Sequence, residues 1–275
     1  MNFSSSFLTL LLFGAWFGAT MPPLFTQHPS IGTITTVEKQ YGDSHLDGYN
    51  LYFPPAYEEK GPEFPLIVFF QGGLGVGGEV DAIFQWELPK DLKSATEIKT
   101  ELDELKLNTF VYLLPHISEG QFYQNTEEIQ QLIEAVLAEY QLDASRVYLT
   151  GLSRGGHGSW GVASRIPDQF AAVAPICGSD HGIETVEGLT TLPIWTAHNV
   201  ADGMVDYDRT KEVVARIEAS CGESFHRTST IAEANVAQHD RIFTSGSNPE
   251  FEHNAWTEMY NEVKFYQWLL RFQSE

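Results

Sequence analysis

The sequence predicts an α/β fold in which a mostly parallel central sheet is covered by helices on both faces. Helix-like or mixed segments separate the later strand-like runs, an order typical of this class. Two runs, residues 66–70 and 111–114, are continuously apolar, which favours central strands that are buried on both sides. The strand-like runs are residues 48–53, 65–71, 108–115, 146–150, 170–177 and 192–198.

The third observation is the segment Gly-Leu-Ser-Arg-Gly at residues 151–155, which follows a strand-like run directly. This Gly-x-Ser-x-Gly spacing is typical of a nucleophile elbow, a strand-to-helix turn that leaves its serine strained and exposed at the carboxyl edge of a sheet. Glycine at 151 and 155 lets strand and helix approach closely. Ser153 is therefore the predicted nucleophile.

The segments around the elbow have the order that this turn requires. Residues 126–140 place their apolar side chains on one helical face, with Thr126 as the expected N-cap. A short turn, the strand and the elbow follow, and residues 155–164 form a helix rich in small residues that can pack closely on a sheet.

Other segments are predicted from their patterning. Residues 31–39 and 48–53 are expected to form an antiparallel edge, and residues 255–272 a closing helix. The charged stretch 88–107 predicts a solvated helix that covers the sheet, with a lid as the alternative. Residues 225–252 are expected to form a strand followed by a longer segment without clear helical periodicity.

Composition limits the possible functions. The chain has 275 residues, of which 43% are hydrophobic, so it suits one α/β domain and is not disordered. Its formal net charge is −21, which argues against binding nucleic acid or an anionic membrane through bulk electrostatics.

The N-terminus predicts export. An apolar run at residues 7–17, followed by Gly18-Ala19-Thr20, fits a signal peptide over residues 1–20. The catalytic domain is then residues 21–275, and the protein is secreted or periplasmic. The first six residues have no Lys or Arg, so an uncleaved arm, or initiation at Met21, is the alternative reading.

The cysteines and the metal-binding motifs bear on a possible disulfide and on metal dependence. Cys177 and Cys221 could form a disulfide after export, but a buried free thiol at Cys177 is an equal expectation. The sequence contains no pattern typical of a zinc or calcium site. We therefore expect no metal.

The elbow predicts an acid and a histidine in later loops, in that chain order. Asp202 lies just after the strand-like run 192–198, with Asp206 and Asp208 as competitors. Asp208 is better explained as the cap of a helix that begins near Arg209.

His253 lies at the start of the closing helix, where the histidine is expected, and His239 is the alternative. Such a histidine accepts the serine proton, and the carboxylate fixes its tautomer and stabilises the imidazolium. The backbone N–H of Arg154 is expected to stabilise an oxyanion together with an N–H of the loop at residues 71–75. Gly73 is preferred in that loop, followed by Leu74.

Taken together, these motifs resemble the carboxylesterases related to prolyl oligopeptidase, a group that approaches polyhydroxybutyrate depolymerases and feruloyl-esterase-like enzymes. The resemblance extends from about residue 48 to the C-terminus, and it implies a Ser153, Asp202 and His253 triad and no cofactor. Three positions depart from the common pattern: Gln71 replaces His, Asn199 replaces Gly, and Arg154 replaces Met. The segments that carry the resemblance are residues 65–73, 147–156, 170–178, 192–195 and 253–258.

The resulting hypothesis is a serine hydrolase that cleaves carboxylic esters of small molecules or polymers through an acyl-enzyme. A peptidase or acyltransferase could use the same triad, and a non-catalytic binding module is the rival outside the enzymes. Leu74, Trp160 and Trp256 are the expected substrate-binding residues. Trp86, Phe122 and Tyr123 are further aromatic candidates for the acyl pocket.

Overall fold

The computed structural model describes residues 31–75, 77–246 and 252–274, so the expected signal peptide lies outside the described residues. Within these ranges nine strands form one sheet with the order β1-β2-β4-β3-β5-β6-β7-β9-β8. The strands are β1 (Thr33–Glu38), β2 (Leu46–Phe53), β3 (Phe64–Phe70), β4 (Val111–Ile117), β5 (Leu142–Leu152), β6 (Ala172–Ile176), β7 (Ile194–Ala197), β8 (His226–Thr228) and β9 (Arg241–Thr244).

Helices cover both faces of this sheet. One face packs against α3, α4 and α5, and the other against α1, α2, α6 and α7. The helices are α1 (Glu87–Ser94), α2 (Glu101–Asn108), α3 (Thr126–Glu139), α4 (Arg154–Arg165), α5 (Tyr207–Cys221), α6 (Trp256–Tyr260) and α7 (Val263–Leu269).

The apolar central strands supply side chains to both cores. In β3, Leu66, Val68 and Phe70 enter the core on the α4 side, whereas Ile67 and Phe69 enter the opposite core. Successive side chains of a strand point to opposite faces, so a continuously apolar strand fits a sheet that is covered twice. The predicted fold class is therefore confirmed.

Strand pairing also agrees with the sequence. The strands from β3 to β9 pair in parallel, while β1 pairs with β2, and β2 with β4, in antiparallel register. The predicted antiparallel edge is thus confirmed. The carboxyl ends of β3, β5 and β7 meet at one edge of the sheet, and the loops that follow them carry the candidate site residues.

The closing helix differs from the prediction, because it is two helices rather than one. It is interrupted at Asn261, whose side-chain amide donates to the carbonyl of Thr257 and whose side-chain oxygen accepts from Lys106 Nζ at 2.7 Å. The bond to Thr257 is local: the Asn261 side chain binds the carbonyl that the Asn261 backbone N–H would bind in a continuous helix.

The structure adds detail to two other predicted segments, residues 88–107 and 225–252. The stretch 88–107 forms α1 and α2, whose buried Leu88, Leu92 and Leu107 cover the sheet. The region 225–252 contains β8 and a second strand, β9, which has only four residues and pairs in parallel with β7.

Both predicted N-caps are wrong, by one and two residues. The N-cap of α3 is Asn125 rather than Thr126. The N-cap of α5 is Asp206 rather than Asp208, because the Asp206 carboxylate accepts from the backbone N–H of Asp208 at 3.0 Å. In the described part of the chain, none of the helices has the length and apolar character needed to cross a membrane.

Candidate active site

The elbow at Ser153 is a strained turn between β5 and α4. Ser153 has φ 55° and ψ −115°, and its backbone N–H donates to the carbonyl of Ile176 at 2.9 Å. A Cβ at Gly155 would lie 2.0 Å from the carbonyl oxygen of Phe70, and a Cβ at Gly151 would lie 2.6 Å from that of Gly155. Glycine is required at both positions because backbone atoms occupy the space of a side chain.

The structure brings together the three residues expected to form the triad. His253 Nε2 lies 2.9 Å from Ser153 Oγ, and His253 Nδ1 lies 2.6 Å from Asp202 Oδ2. Asp202 stands in the loop after β7, and His253 lies just before α6. The arrangement allows the serine hydroxyl to donate to one ring nitrogen while the other nitrogen donates to the carboxylate.

The Asp202 carboxylate is fully buried and accepts hydrogen bonds on both oxygens. Oδ1 accepts from the backbone N–H groups of Met204 at 2.8 Å and Val205 at 2.9 Å. Burial alone would raise the pKa of Asp202, but hydrogen bonds from His198, His253 and the two backbone amides outweigh it and lower the pKa well below its usual value. The carboxylate is therefore ionised throughout the neutral range.

The competing residues lie elsewhere in the fold. Asp206 caps α5, and Asp208 pairs with Lys211. The His239 ring stacks on His226 with 4.0 Å between ring centroids. None of these side chains contacts Ser153.

One residue of the site was missed by sequence reasoning. The side chain of His198, fully buried at the end of β7, places Nε2 at 2.9 Å from Asp202 Oδ2. Its position at a strand end, four residues before the expected acid, was the available signal. Asp202 thus stands between two histidines.

Above Ser153 lies a mainly apolar cleft of about 560 Å³. Leu74, which is 79% exposed, and Trp256 both line it, as expected from the sequence. The Trp256 ring meets the His253 ring edge to face, with 5.2 Å between centroids. The remaining wall is formed by Phe69, Gln71, Gly72, Gly73, Ile83, Trp86, Glu87, Pro89, Leu152, Met204, Glu252 and Asn254.

The structure corrects the assignment of Trp160 as a substrate-binding residue. Trp160 is 0% exposed and belongs to the core between α4 and the sheet. It lies about two turns beyond Ser153 on α4, on the face that packs inward, so it cannot touch a molecule in the cleft. Phe122 is likewise buried in that core, and Tyr123 packs against it.

The residues expected to supply the oxyanion donors, Arg154, Gly73 and Leu74, all lie near Ser153. Arg154 is the first residue of α4, and the first N–H groups of a helix have no acceptor within the helix. Gly73 and Leu74 form part of the cleft wall. The structure therefore places all three candidate donor residues around the serine.

A thiol also lies beneath the triad. Ligand atoms of Cys177, Asp202 and His253 lie within 4.8 Å of one another, a grouping that could hold a metal ion. Burial raises the pKa of Cys177 to about 12. The carboxylate and imidazole are already hydrogen-bonded to each other, so this set fits a metal poorly. Cys177 and Cys221 are both free thiols.

Comparison with known proteins supports an esterase relationship for the central part of the chain. Residues 120–239 match the family model described as Esterase PHB depolymerase. A bifunctional acetylxylan esterase/xylanase of Neocallimastix patriciarum is 30% identical over 86 residues, 31% of this chain and 13% of that protein. Poly(3-hydroxyalkanoate) depolymerase C of Paucimonas lemoignei is 40% identical over 57 residues, 21% of this chain and 14% of that protein. The aligned segments thus span about one seventh of each relative.

Solved structures share the fold over most of the chain. The feruloyl esterase module from Clostridium thermocellum, solved with sinapinate, superposes with a TM-score of 0.60 at 15% identity and covers 88% of both chains. The protein has the α/β-hydrolase fold, and its predicted resemblance to the polyhydroxybutyrate-depolymerase and feruloyl-esterase-like group is confirmed.

Proposed function

We propose that this protein is a serine esterase that cleaves carboxylic esters through an acyl-enzyme. The observation that carries the proposal is the continuous chain from Ser153 Oγ through the His253 ring to Asp202, with distances of 2.9 and 2.6 Å. Nucleophile and base lie within hydrogen-bonding reach, and a third group orients the base. Because several similar proteins are esterases, we propose ester rather than amide substrates for this protein.

In the first half of the reaction, His253 Nε2 accepts the proton of Ser153 Oγ as the oxygen attacks the ester carbonyl. The bond from serine to carbonyl carbon forms, and the carbonyl π electrons move to the oxygen. Asp202 stabilises the imidazolium that results. When the tetrahedral intermediate collapses, His253 gives its proton to the departing alcohol, and the acyl group stays on Ser153.

In the second half, water replaces the alcohol. His253 removes a proton from water as it attacks the acyl carbon, and the same proton returns to Ser153 Oγ when the acid departs. We assign the N–H of Arg154 and an N–H of Gly73 or Leu74 to the developing oxyanion. Loss of such a donor typically costs about 3–4 kcal/mol.

The cleft favours an uncharged acyl or aryl group whose remainder extends to solvent. Leu74 and Met204, each 79% exposed, and Trp86, 44% exposed, surround its mouth. Because the protein carries a net charge of −21, anionic substrates are disfavoured at long range. We therefore propose neutral esters, free or attached to a polymer, as the substrate class.

The nucleophile is tested with Ser153→Ala. This variant should fold but lose activity on a nitrophenyl ester, and a fluorophosphonate should label the wild-type protein at Ser153 alone. Ser164→Ala on the same helix is the matched control and should keep full activity. Labelling at another residue would show that the nucleophile is assigned wrongly.

The substrate class is tested with nitrophenyl esters of increasing acyl length, a feruloyl ester and acetylated xylan. The proposal expects hydrolysis of at least one of these neutral esters. Hydrolysis of peptides but not of any ester would instead favour the peptidase.

We also propose that the protein is exported, on the basis of the apolar run at residues 7–17. Sequencing the N-terminus of the protein recovered from the culture medium or periplasm tests this. A mature chain that still begins at Met1 would argue against a cleaved signal.

A further inference from the structure

His198 is not required by the mechanism described above, yet it is fully buried beside Asp202. Its ring meets hydrogen-bonding partners at both nitrogens. Nδ1 lies 2.7 Å from Thr210 Oγ1, and Nε2 lies 2.9 Å from Asp202 Oδ2 and 3.1 Å from the carbonyl oxygen of Val205. The identities of these partners determine where the ring protons are.

At Nε2 both neighbours can only accept. The carbonyl of Val205 has no proton, and Asp202 is ionised. Oδ2 of Asp202 also accepts from His253 Nδ1. Nε2 of His198 must therefore carry a proton, because an unprotonated nitrogen would face two oxygen lone pairs.

At Nδ1 the neighbour is a hydroxyl with one proton, and that proton is used elsewhere. Thr210 Oγ1 donates to the carbonyl oxygen of Gly178, which can only accept. The Thr210 oxygen is then an acceptor toward His198 Nδ1. This nitrogen must also carry a proton, so the ring has two N–H groups.

We propose that His198 is a positioning residue, a buried imidazolium that holds the Asp202 carboxylate in place through Oδ2, the oxygen that also binds His253. This proposal rests on the proposed function for its effect on the reaction rate, while the charge of His198 is independent of it. An imidazolium donates a charge-assisted hydrogen bond and offsets the cost of burying a carboxylate. It also lessens the negative charge that Asp202 presents to His253.

Other titratable side chains near His198 are those of His157, Tyr207 and Cys177. His157, on α4, has its pKa lowered to about 4 by burial, then by the neighbouring His181, His198 and His253. The Tyr207 ring, on α5, meets His198 edge to face with 5.8 Å between centroids. Cys177 is a protonated thiol, since burial raises its pKa to about 12. The anion that the proposed imidazolium contacts is therefore Asp202.

The charge is tested by nuclear magnetic resonance on the full chain with ¹⁵N-labelled histidine at pH 7.5. We expect one ring with both nitrogens protonated and slowly exchanging N–H protons, and His198→Gln should remove that signal. If that variant does not fold, the wild-type spectrum still decides, because the absence of any doubly protonated ring would overturn the proposal.

The positioning role is tested by kinetics on a nitrophenyl ester. For His198→Gln we expect kcat to fall about 10-fold to 100-fold with little change in KM, as for loss of a charge-assisted hydrogen bond. The acid limb of kcat/KM should also move to higher pH, because Asp202 then presents its full charge to His253. An unmoved acid limb would mean that His198 is neutral and merely structural.

Two matched variants complete the experiment. His226→Gln, remote from Asp202, should leave kcat and the acid limb unchanged. Thr210→Ser keeps the acceptor oxygen and should retain the doubly protonated ring. A doubly protonated His198 in a protein without esterase activity would contradict the proposed function alone, whereas a singly protonated His198 in an active esterase would contradict this inference alone.

Discussion

Ser153 Oγ and His253 Nε2 lie 2.9 Å apart although 100 positions separate the two residues in the chain. Parallel strands explain this proximity, because their carboxyl ends share one edge of the sheet. Ser153 follows β5, and the loop after β7 supplies Asp202 to hold the histidine. The site therefore depends on the sheet for its assembly.

Replacing Asp202 by Asn should lower kcat by about 10⁴-fold, because the amide leaves the His253 ring in the wrong tautomer while the shape is retained. The measurement is kcat on a nitrophenyl ester, with circular dichroism to verify folding. Asp206→Asn is the matched control: the Asn side-chain oxygen can still cap α5, so both stability and kcat should change little. Equal losses of kcat in both variants would refute the choice of Asp202.

The sequence could indicate the three residues of the proposed triad, which the structure brings together, because each follows from chain order and a local signal. The elbow is a five-residue pattern, and Asp202 and His253 stand next to recognisable elements. His198 could not be assigned in the same way, because its role depends on contacts with Thr210 and Asp202 across separate elements. Trp160 was misassigned for a related reason: sequence places it on α4 but does not show which helix face meets the core.

Gly155→Ala should prevent folding or destabilise the protein by at least about 3 kcal/mol, because the new Cβ would lie 2.0 Å from the carbonyl oxygen of Phe70. The backbone of β3 cannot withdraw without disturbing the central sheet. Gly73→Ala is the control, since a Cβ there meets nothing within 4 Å. Urea unfolding of both variants measures the difference, and similar midpoints would contradict the close approach of strand and helix.

Variants of Trp256 and Trp160 should respond in opposite ways. Trp256→Ala removes a wall of the cleft and should lower kcat/KM for aryl or long-chain esters about tenfold, with a smaller effect on acetyl esters. Trp160→Ala empties a fully buried site and should cost about 3–5 kcal/mol of unfolding free energy without altering acyl preference. A change of acyl preference in the Trp160 variant would show that the core reaches the cleft.

Fold boundaries were less predictable than fold class. The apolar runs predicted the buried strands because burial on both sheet faces requires such composition. At the break in the closing helix Asn261 binds Lys106, which is 155 positions away, so no local pattern could reveal this contact. The short β9 has its main partner, β7, far away in the sequence, and four residues are too few to show a period.

Acid should destabilise the protein through His157 before it affects the carboxylates. The pKa of His157 is lowered to about 4, first by burial and then by the neighbouring histidines. Its Nδ1 accepts the backbone N–H of Ser179 at 2.7 Å, a bond that the protonated nitrogen would lose. The folded protein therefore keeps this ring neutral at pH values where an unfolded chain, with a histidine pKa of about 6.5, binds a proton.

The sign of the pH dependence follows from that difference. Above about pH 6.5 the ring is neutral in both states and has no effect on stability. Between about pH 6.5 and 4 the unfolded state binds more protons, so the free energy of unfolding falls by at most about 1.4 kcal/mol for each pH unit of acidification.

His157→Gln removes the titrating ring and should make stability less dependent on pH in this window. The difference between wild type and variant, measured by urea unfolding at pH 7 and pH 5, should be about 1–2 kcal/mol. Changes in overall net charge affect both proteins alike, and His45→Gln on the surface serves as the control. Parallel stability curves for wild type and His157→Gln would show that His157 titrates normally in the folded protein.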